Sequence, residues 1–203
     1  MGCDIHVYTE KKRKDGSWWC CDHFKLNPYY GEPGERKYYV EPIYSDRNYS
    51  LFATLADVRN YNSIKPIDSP RGLPSDVSDA VKEEADWWRD GAHSHSWFLA
   101  GELFLHKAKK PFYKVGGMIS PTDALYLDEF GRIPEEWCEY TTNESYVRRD
   151  WVMPYSVLDK LIDAIKTRMR EEFYIFDWEA DAKKEEQYSK YAKDFRIVFW
   201  FDS

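Results

Sequence analysis

The chain has 203 residues, a formal net charge of −7 and a pI near 5.3, which excludes the broad basic footprint of a protein that tracks a nucleic-acid polymer. Apolar residues make up 43 % and charged residues 32 %, enough to build a core and too apolar for a disordered chain. Aromatic residues reach 18 %, so rings are available for a thick core or an interface and also for stacking on bases and sugars.

The opening residues read as a strand. Side chains alternate across a strand, so Cys3, Ile5, Val7 and Thr9 point one way and Asp4, His6, Tyr8 and Glu10 the other. The second row suits the wall of a site. Asp15-Gly16 separates this strand from a second strand-like run, Ser17 to Lys25, and marks a hairpin. A two- or four-residue loop centred there pairs positions that sum to 31. Tyr8 then faces His23, His6 faces Lys25, and Glu10 faces Cys21, so His23 and Lys25 join the face of Asp4, His6 and Tyr8. A one-residue bulge reverses that assignment.

Pro28, Gly31, Pro33 and Gly34 make residues 26–36 a loop, and Lys37 to Tyr44 is a strand that Pro42 breaks or confines to an edge. Asp46 caps a short helix over 48–59, where Leu51, Phe52, Leu55 and Val58 recur at helical spacing. A stiff proline-rich loop spans 60–75. A second helix then runs from Ser75 and stops at Asp90-Gly91. Ala92-His93-Ser94-His95-Ser96-Trp97 follows, then another short helix around Glu102, Leu103 and Phe104. Gly116-Gly117, Pro121, Gly131 and Pro134 punctuate 111–150, which shows no clear period. Residues 156–173 form the clearest helix, capped by Ser156, with a stripe of Val157, Leu158, Leu161, Ile162, Ile165 and Met169. A polar helix over 179–193 covers surface, and Arg196 to Phe201 is a dense apolar strand suited to the centre of a sheet. Strands at both ends with helices between predict one α+β domain over 1–203, its mostly antiparallel sheet including both terminal strands and carrying the helices.

Cys3, Cys20, Cys21 and Cys138 show no paired C-x-x-C spacing, which argues against a four-cysteine zinc site. Cys20 and Cys21 point to opposite faces of a strand. With no secretory signal or membrane-spanning run, the thiols fit a reduced cytoplasm. Met1-Gly2-Cys3 hints at acylation, but His6 stands where the myristoylation pattern wants Ser or Thr. No Gly-rich phosphate fingerprint is present, so a dinucleotide cofactor or a P-loop nucleotide is not expected.

The histidines are His6, His23, His93, His95 and His106. His93 and His95 share a face if they lie in a strand. With Asp4 and His6 they supply three imidazoles and a carboxylate, an inventory that suits a divalent metal, at a spacing that chance also produces. The same groups work without metal. Two imidazoles on either side of a phosphodiester serve as general base and general acid, and arginines neutralise the phosphoryl oxygens. Arg47, Arg59 and Arg71 each sit beside a turn or helix end, where a solvated or capping role is the plainer reading. His93 and His95 equally suit anchoring a loop, and His106 suits the surface. Cys3 points to the apolar side, as a structural thiol rather than a nucleophile. Ser94 and Ser96 lack the nucleophile-elbow context.

Met1-Gly2-Cys3-Asp4-Ile5-His6, Arg47-Asn48-Tyr49 with Leu51-Phe52-Ala53 and Leu55-Ala56, Val58-Arg59, Pro70-Arg71-Gly72-Leu73-Pro74 with Asp76, and His93-Ser94 to Ser96-Trp97 with Glu102 form a set. The set resembles a family of uncharacterised phage and prophage proteins that open Met-Gly-Cys-Asp-Ile-His. The resemblance covers the first half of the chain, and His95 stands at a position that varies in the family. It implies a viral accessory protein acting in the cytoplasm of a bacterial host, without an activity. Some phage proteins defeat immunity by destroying or sequestering cyclic nucleotide signals, and by that analogy three functions are expected. The first is a phosphodiesterase on a cyclic oligonucleotide, with His6 and His93 as acid and base, Asp4 orienting His6, and Arg47, Arg59 and Arg71 on phosphates. His95, Tyr8, His23, Lys25, Tyr49 and Trp97 would line the ligand, and a divalent metal stays open. The second is a sponge that holds the same small anionic nucleotide intact. The third is a protein–protein inhibitor whose aromatics form the interface. Neither a polymer nor a membrane is an expected partner, and a homo-oligomer stays open.

Overall fold

Residues 195–202, with five apolar residues in a row at 197–201, become a strand in which seven of eight residues are buried. The computed structural model describes residues 2–61, 63–109, 112–138, 140–154 and 156–202, so Met1 of the opening motif lies outside it. In chain order the elements are β1 (Asp4–Lys12), β2 (Trp18–Cys20), β3 (Phe24–Leu26), β4 (Tyr38–Val40), α1 (Tyr49–Ala56), α2 (Asp79–Trp88), β5 (Ala92–Leu99) and α3 (Ala100–Lys109). They continue as β6 (Phe112–Ile119), α4 (Pro121–Phe130), β7 (Val147–Pro154), α5 (Asp159–Phe173), α6 (Asp181–Tyr191) and β8 (Phe195–Asp202). The fold is α+β. Its main sheet has the order β2-β1-β8-β5, is antiparallel throughout and includes both terminal strands.

β8 is central, as its composition predicts, because a strand covered on both faces must be apolar on both. Phe195, Ile197, Phe199 and Phe201 join Cys3, Ile5 and Val7 in one core with α1, α3 and the stripe of α5. Val198 and Trp200 join Tyr8, Val81 and Ala85 in a second core under α2. Cys20 and Cys21 divide between the two cores, as alternation requires.

The first hairpin differs from the sequence expectation by one residue. Its register is Glu10–Cys20, Lys11–Trp19 and Lys12–Trp18, a sum of 30. The cause is a three-residue loop: Arg13 N donates to Ser17 O at 2.8 Å, and Gly16 takes the left-handed conformation (φ +87°) that such loops need. A slip of one exchanges the two faces. The pairing stops at Cys21, whose N still donates to Thr9 O at 3.0 Å, because Asp22 turns inward to accept from Thr9 N (2.6 Å) and Thr9 Oγ1 (2.5 Å). The chain then leaves the main sheet, and β3 pairs with β4.

Helix ends differ in small ways with clear reasons. Asn48, not Asp46, caps α1, its Oδ1 accepting from Leu51 N at 3.1 Å, and the helix ends at Asp57 (φ +59°) rather than 59. Ser156 offers only its backbone carbonyl to Asp159 N, so α5 begins three residues later than expected. The reversal after α2 is made at Arg89 (φ +45°), not at Gly91.

The region 111–150 holds a β6–β7 hairpin with α4 packed on it around Val115, Ile119, Ala124 and Trp151. Ser120 caps α4, Pro121 opens it and Gly131 (φ +64°) closes it, so the punctuation there is that of a helix. Among the described residues no helix is long and apolar enough to cross a membrane.

Candidate functional site

The start of β1, the end of β8 and the start of β5 meet at one end of the main sheet. Register sets Asp4 beside Asp202, His6 beside Trp200, and Ala92 on the other side of Asp202. Strand parity then puts Asp4, His6, Trp200 and Asp202 on the α2 face. Asp202 Oδ1 accepts from Asp4 N at 3.0 Å, and its Oδ2 lies 3.2 Å from His6 Nε2. A carboxylate only accepts, so Nε2 is the nitrogen that carries a proton toward Asp202, and the neutral ring held this way has its lone pair on Nδ1. His6 is packed against Trp88, ring centroids 4.3 Å apart, and keeps 14 % of its side chain exposed. Asp202 therefore orients His6, where the sequence reading gave that role to Asp4. Asp4 instead binds Arg47 through two hydrogen bonds of 2.8 and 2.7 Å, and the guanidinium holds its carboxyl below the usual range.

The two histidines of β5 do not share a face. A bulge between His93 and Ser96, with Ser94 left-handed at φ +52°, puts two residues opposite one and breaks the alternation. His93 stacks on Phe201 at 6.0 Å on the α1 face, its Nδ1 3.1 Å from Ser94 Oγ. His95 packs against Trp200 at 5.6 Å on the α2 face. The sheet thus separates His6 from His93, and it is His95 that flanks Trp200 opposite His6, whose ring lies 6.2 Å from that indole. β1 and β5 are next-nearest strands, so the two imidazoles stand on backbones roughly 10 Å apart. Burial, and then the charge of His93, push His95 below the ordinary imidazole range, so it is neutral near pH 7.

The remaining predicted positions divide. Tyr8 is fully covered and stacks under Trp200 at 4.9 Å, so it forms a floor and lines nothing. The hairpin register removes His23, whose Nε2 meets Arg168 Nη1 at 2.9 Å, and Lys25, which pairs with Glu41. Arg71 lies along the outer side of β5. It uses its donors on Glu102 (2.7 and 3.1 Å), Asp68 (3.0 Å) and the Trp97 carbonyl (3.2 Å), with its guanidinium 5.0 Å from the Trp97 ring. Arg71 and Trp97 are a structural clasp between the proline loop and α3. Arg59 (φ +50°) reaches Tyr61 Oη at 3.4 Å and stands by Cys3, whose thiol burial pushes up against that cation's pull. Cys3 is fully buried.

Arg47 and Tyr49 line a 610 Å³ cavity with Tyr44, Asn48, Trp137 and Lys160, within the size range of small-ligand sites. Arg47 belongs both to this cavity and, through Asp4, to the sheet end. Among the described residues no group of three or more His, Cys, Asp or Glu is placed to hold a metal ion.

Sequence reasoning missed Asp202, Trp88, Trp200, Trp137 and Lys160. Parity along β8 groups Asp202 with Trp200, but only the β1–β8 register sets them beside His6. Backbone strain gathers here too. Arg59, Arg89 and Ser94 are non-glycine residues at positive φ, next to Cys3, Trp88 and His93 respectively. The indole N–H of Trp200 is buried without a hydrogen-bond partner between the two imidazoles. No family model matches the chain, and no curated protein and no solved structure matches it either.

Proposed function

We propose that this chain is a viral anti-defence phosphodiesterase that opens a cyclic oligonucleotide signal in a bacterial host. The observation that carries the reading is the His6–Asp202 dyad, in which Asp202 engages Nε2 and leaves Nδ1 without the carboxylate, beside a guanidinium that edges a 610 Å³ cavity. His6 acts as general base and takes a proton from a water molecule, the water oxygen attacks phosphorus, and the ring P–O bond breaks with its electron pair going to the leaving oxygen, which takes a proton from solvent while the His6 imidazolium gives its proton back to solvent. Asp202 keeps the imidazole in the right tautomer, as the carboxylate does in a catalytic triad. His95, neutral and across Trp200, replaces His93 in this account and donates its N–H to a phosphoryl oxygen. Arg47 lies within reach of a second phosphate, and Tyr49 and Trp137 offer ring faces to bases.

Incubation of the purified chain with cyclic di- and trinucleotides, with product analysis by chromatography, tests the reading. His6→Ala and His95→Ala lose turnover and keep binding. Absence of turnover of every ligand, with and without divalent metal, overturns it. A sponge is the second reading, favoured by one observation: the cavity lining holds Arg47, Lys160 paired with Asp46 at 3.1 Å, and aromatic rings, but no imidazole. Ligand recovered intact after denaturation, together with a large thermal stabilisation, supports that alternative.

A further inference from the structure

β3 is exposed at every residue and is one edge of a two-stranded sheet. Asn27 N donates to Lys37 O and Glu41 N to His23 O, both at 2.9 Å, so the odd-numbered positions of this strand bond to β4. The backbone groups of Phe24 and Leu26 therefore point to the opposite side, where no strand of the described residues lies. The other edge is closed, since Glu84 Oε1 accepts from Val40 N at 2.6 Å. An open edge flanked by apolar side chains is a template for another strand.

The side chains at this edge are those of an interface. Phe24 and Leu26 lie on one face of β3, with Leu26 paired across to Tyr38. Trp19 shares a 540 Å³ cavity with Phe24, and Lys37 lies over both Tyr30 and Tyr38, so Trp19, Phe24, Leu26, Tyr38 and Tyr30 form a continuous patch. Each is more than half exposed. At roughly 200 Å² per side chain, a little over half of it exposed, the patch offers about 500 Å² in one copy, hence about 1,000 Å² in a symmetric pair, the lower limit for a specific interface. Edge lysines commonly guard against such pairing, but Lys25 is neutralised by Glu41.

From this geometry we infer that the chain is a two-fold homodimer whose seam is β3 paired antiparallel with β3 of a second copy, centred on Lys25. In that register Phe24 of each copy exchanges two backbone hydrogen bonds with Leu26 of the other, four in all. The apolar pair Phe24–Leu26 repeats itself across the axis. The strand is self-complementary in both backbone and side chains, as an isologous interface must be. Pro28, which has no N–H, stops the ladder from sliding toward the 27–36 loop.

Sedimentation velocity from 1 to 100 µM, with amide hydrogen exchange, tests the inference. A dimer is expected, with the Phe24 and Leu26 amides exchanging at least tenfold more slowly at the upper concentration. Leu26→Pro, which removes one N–H, and Phe24→Lys, an exposed substitution that leaves the backbone intact, both give a folded monomer with fast exchange at the remaining edge amides. A wild-type monomer at 100 µM overturns the inference, including one whose edge binds an unrelated peptide. So does a dimer that survives Phe24→Lys.

Discussion

Arg196→Met is the most informative single perturbation of the fold. Arg196 is 2 % exposed in its side chain and Glu10 is 0 %, and Arg196 Nε meets Glu10 Oε2 at 2.6 Å. The same guanidinium donates to Asp76 Oδ1 at 2.7 Å and to the Asp76 carbonyl at 3.1 Å, and it lies 4.0 Å from the Trp18 ring. Glu10 Oε1 in turn accepts from Ser78 N at 2.7 Å, at the start of α2. One guanidinium thus fastens the 76–78 segment to the sheet beside the second core. Methionine keeps most of the stem but leaves the Glu10 carboxylate buried with a single backbone donor. Breaking a buried pair from one side costs about 3–5 kcal/mol. In a domain of about 200 residues each kcal/mol moves the melting temperature by about 2–4 °C, so a fall of roughly 6–20 °C is expected. Urea titration at pH 7 measures the loss. The double variant Glu10→Gln, Arg196→Met recovers part of it, because the stranded charge is gone, and a double-mutant cycle reads that coupling. A loss below about 1 kcal/mol for Arg196→Met refutes the assignment of this network as the fastening of α2.

Three further outcomes are expected. Asp202→Asn keeps the acceptor for Asp4 N but turns its amide toward His6 Nε2 and favours the wrong tautomer; turnover falls by about 10²- to 10⁴-fold with a melting temperature within a few degrees of wild type. Burial pushes Asp22 up to about 7, against the pull of its Thr9 hydrogen bonds and Arg168. The folded state then binds the extra proton between 3.8, the ordinary aspartate value, and 7, so stability falls as pH rises through that window and levels off above it. The contribution lost is of the order of 4 kcal/mol, and Asp22→Asn flattens that slope in a series of urea titrations. Arg89 holds φ +45° and ψ −130°, a region suited to glycine, so Arg89→Gly raises stability by about 1 kcal/mol in thermal melts.

The elements most legible in the sequence were those whose period and burial agree. The α5 stripe and the apolar β8 carry their position in their own side chains, and Cys20-Cys21 divides between the cores by parity alone. Register was less legible, because it depends on a loop whose length no period reveals. A three-residue loop instead of two or four moved His23 and Lys25 away from His6. The bulge at Ser94 had the same effect on His93 and His95, since no residue type demands a bulge there. Asp202 could not be assigned to His6 from sequence at all: 196 residues separate them, and only strand pairing joins them.

The arginines sharpen the choice between cleavage and capture. A sponge for a polyanion needs cations with unused donors, yet Arg47 is held by Asp4 and Arg71 by Glu102 and Asp68. A phosphate that takes Arg47 must displace or share the Asp4 carboxylate, in a pair whose side chains are 52 % (Arg47) and 42 % (Asp4) exposed and which water already screens. That exchange yields little net affinity and returns a negative charge to the neighbourhood of the ligand. His6 and Asp202, by contrast, gain nothing from holding an intact anion, because the carboxylate repels it. Their arrangement is useful where a proton must leave an attacking oxygen. The cost of the Asp4 and Asp202 charges to ground-state binding is what a site selected for turnover tolerates and one selected for retention does not.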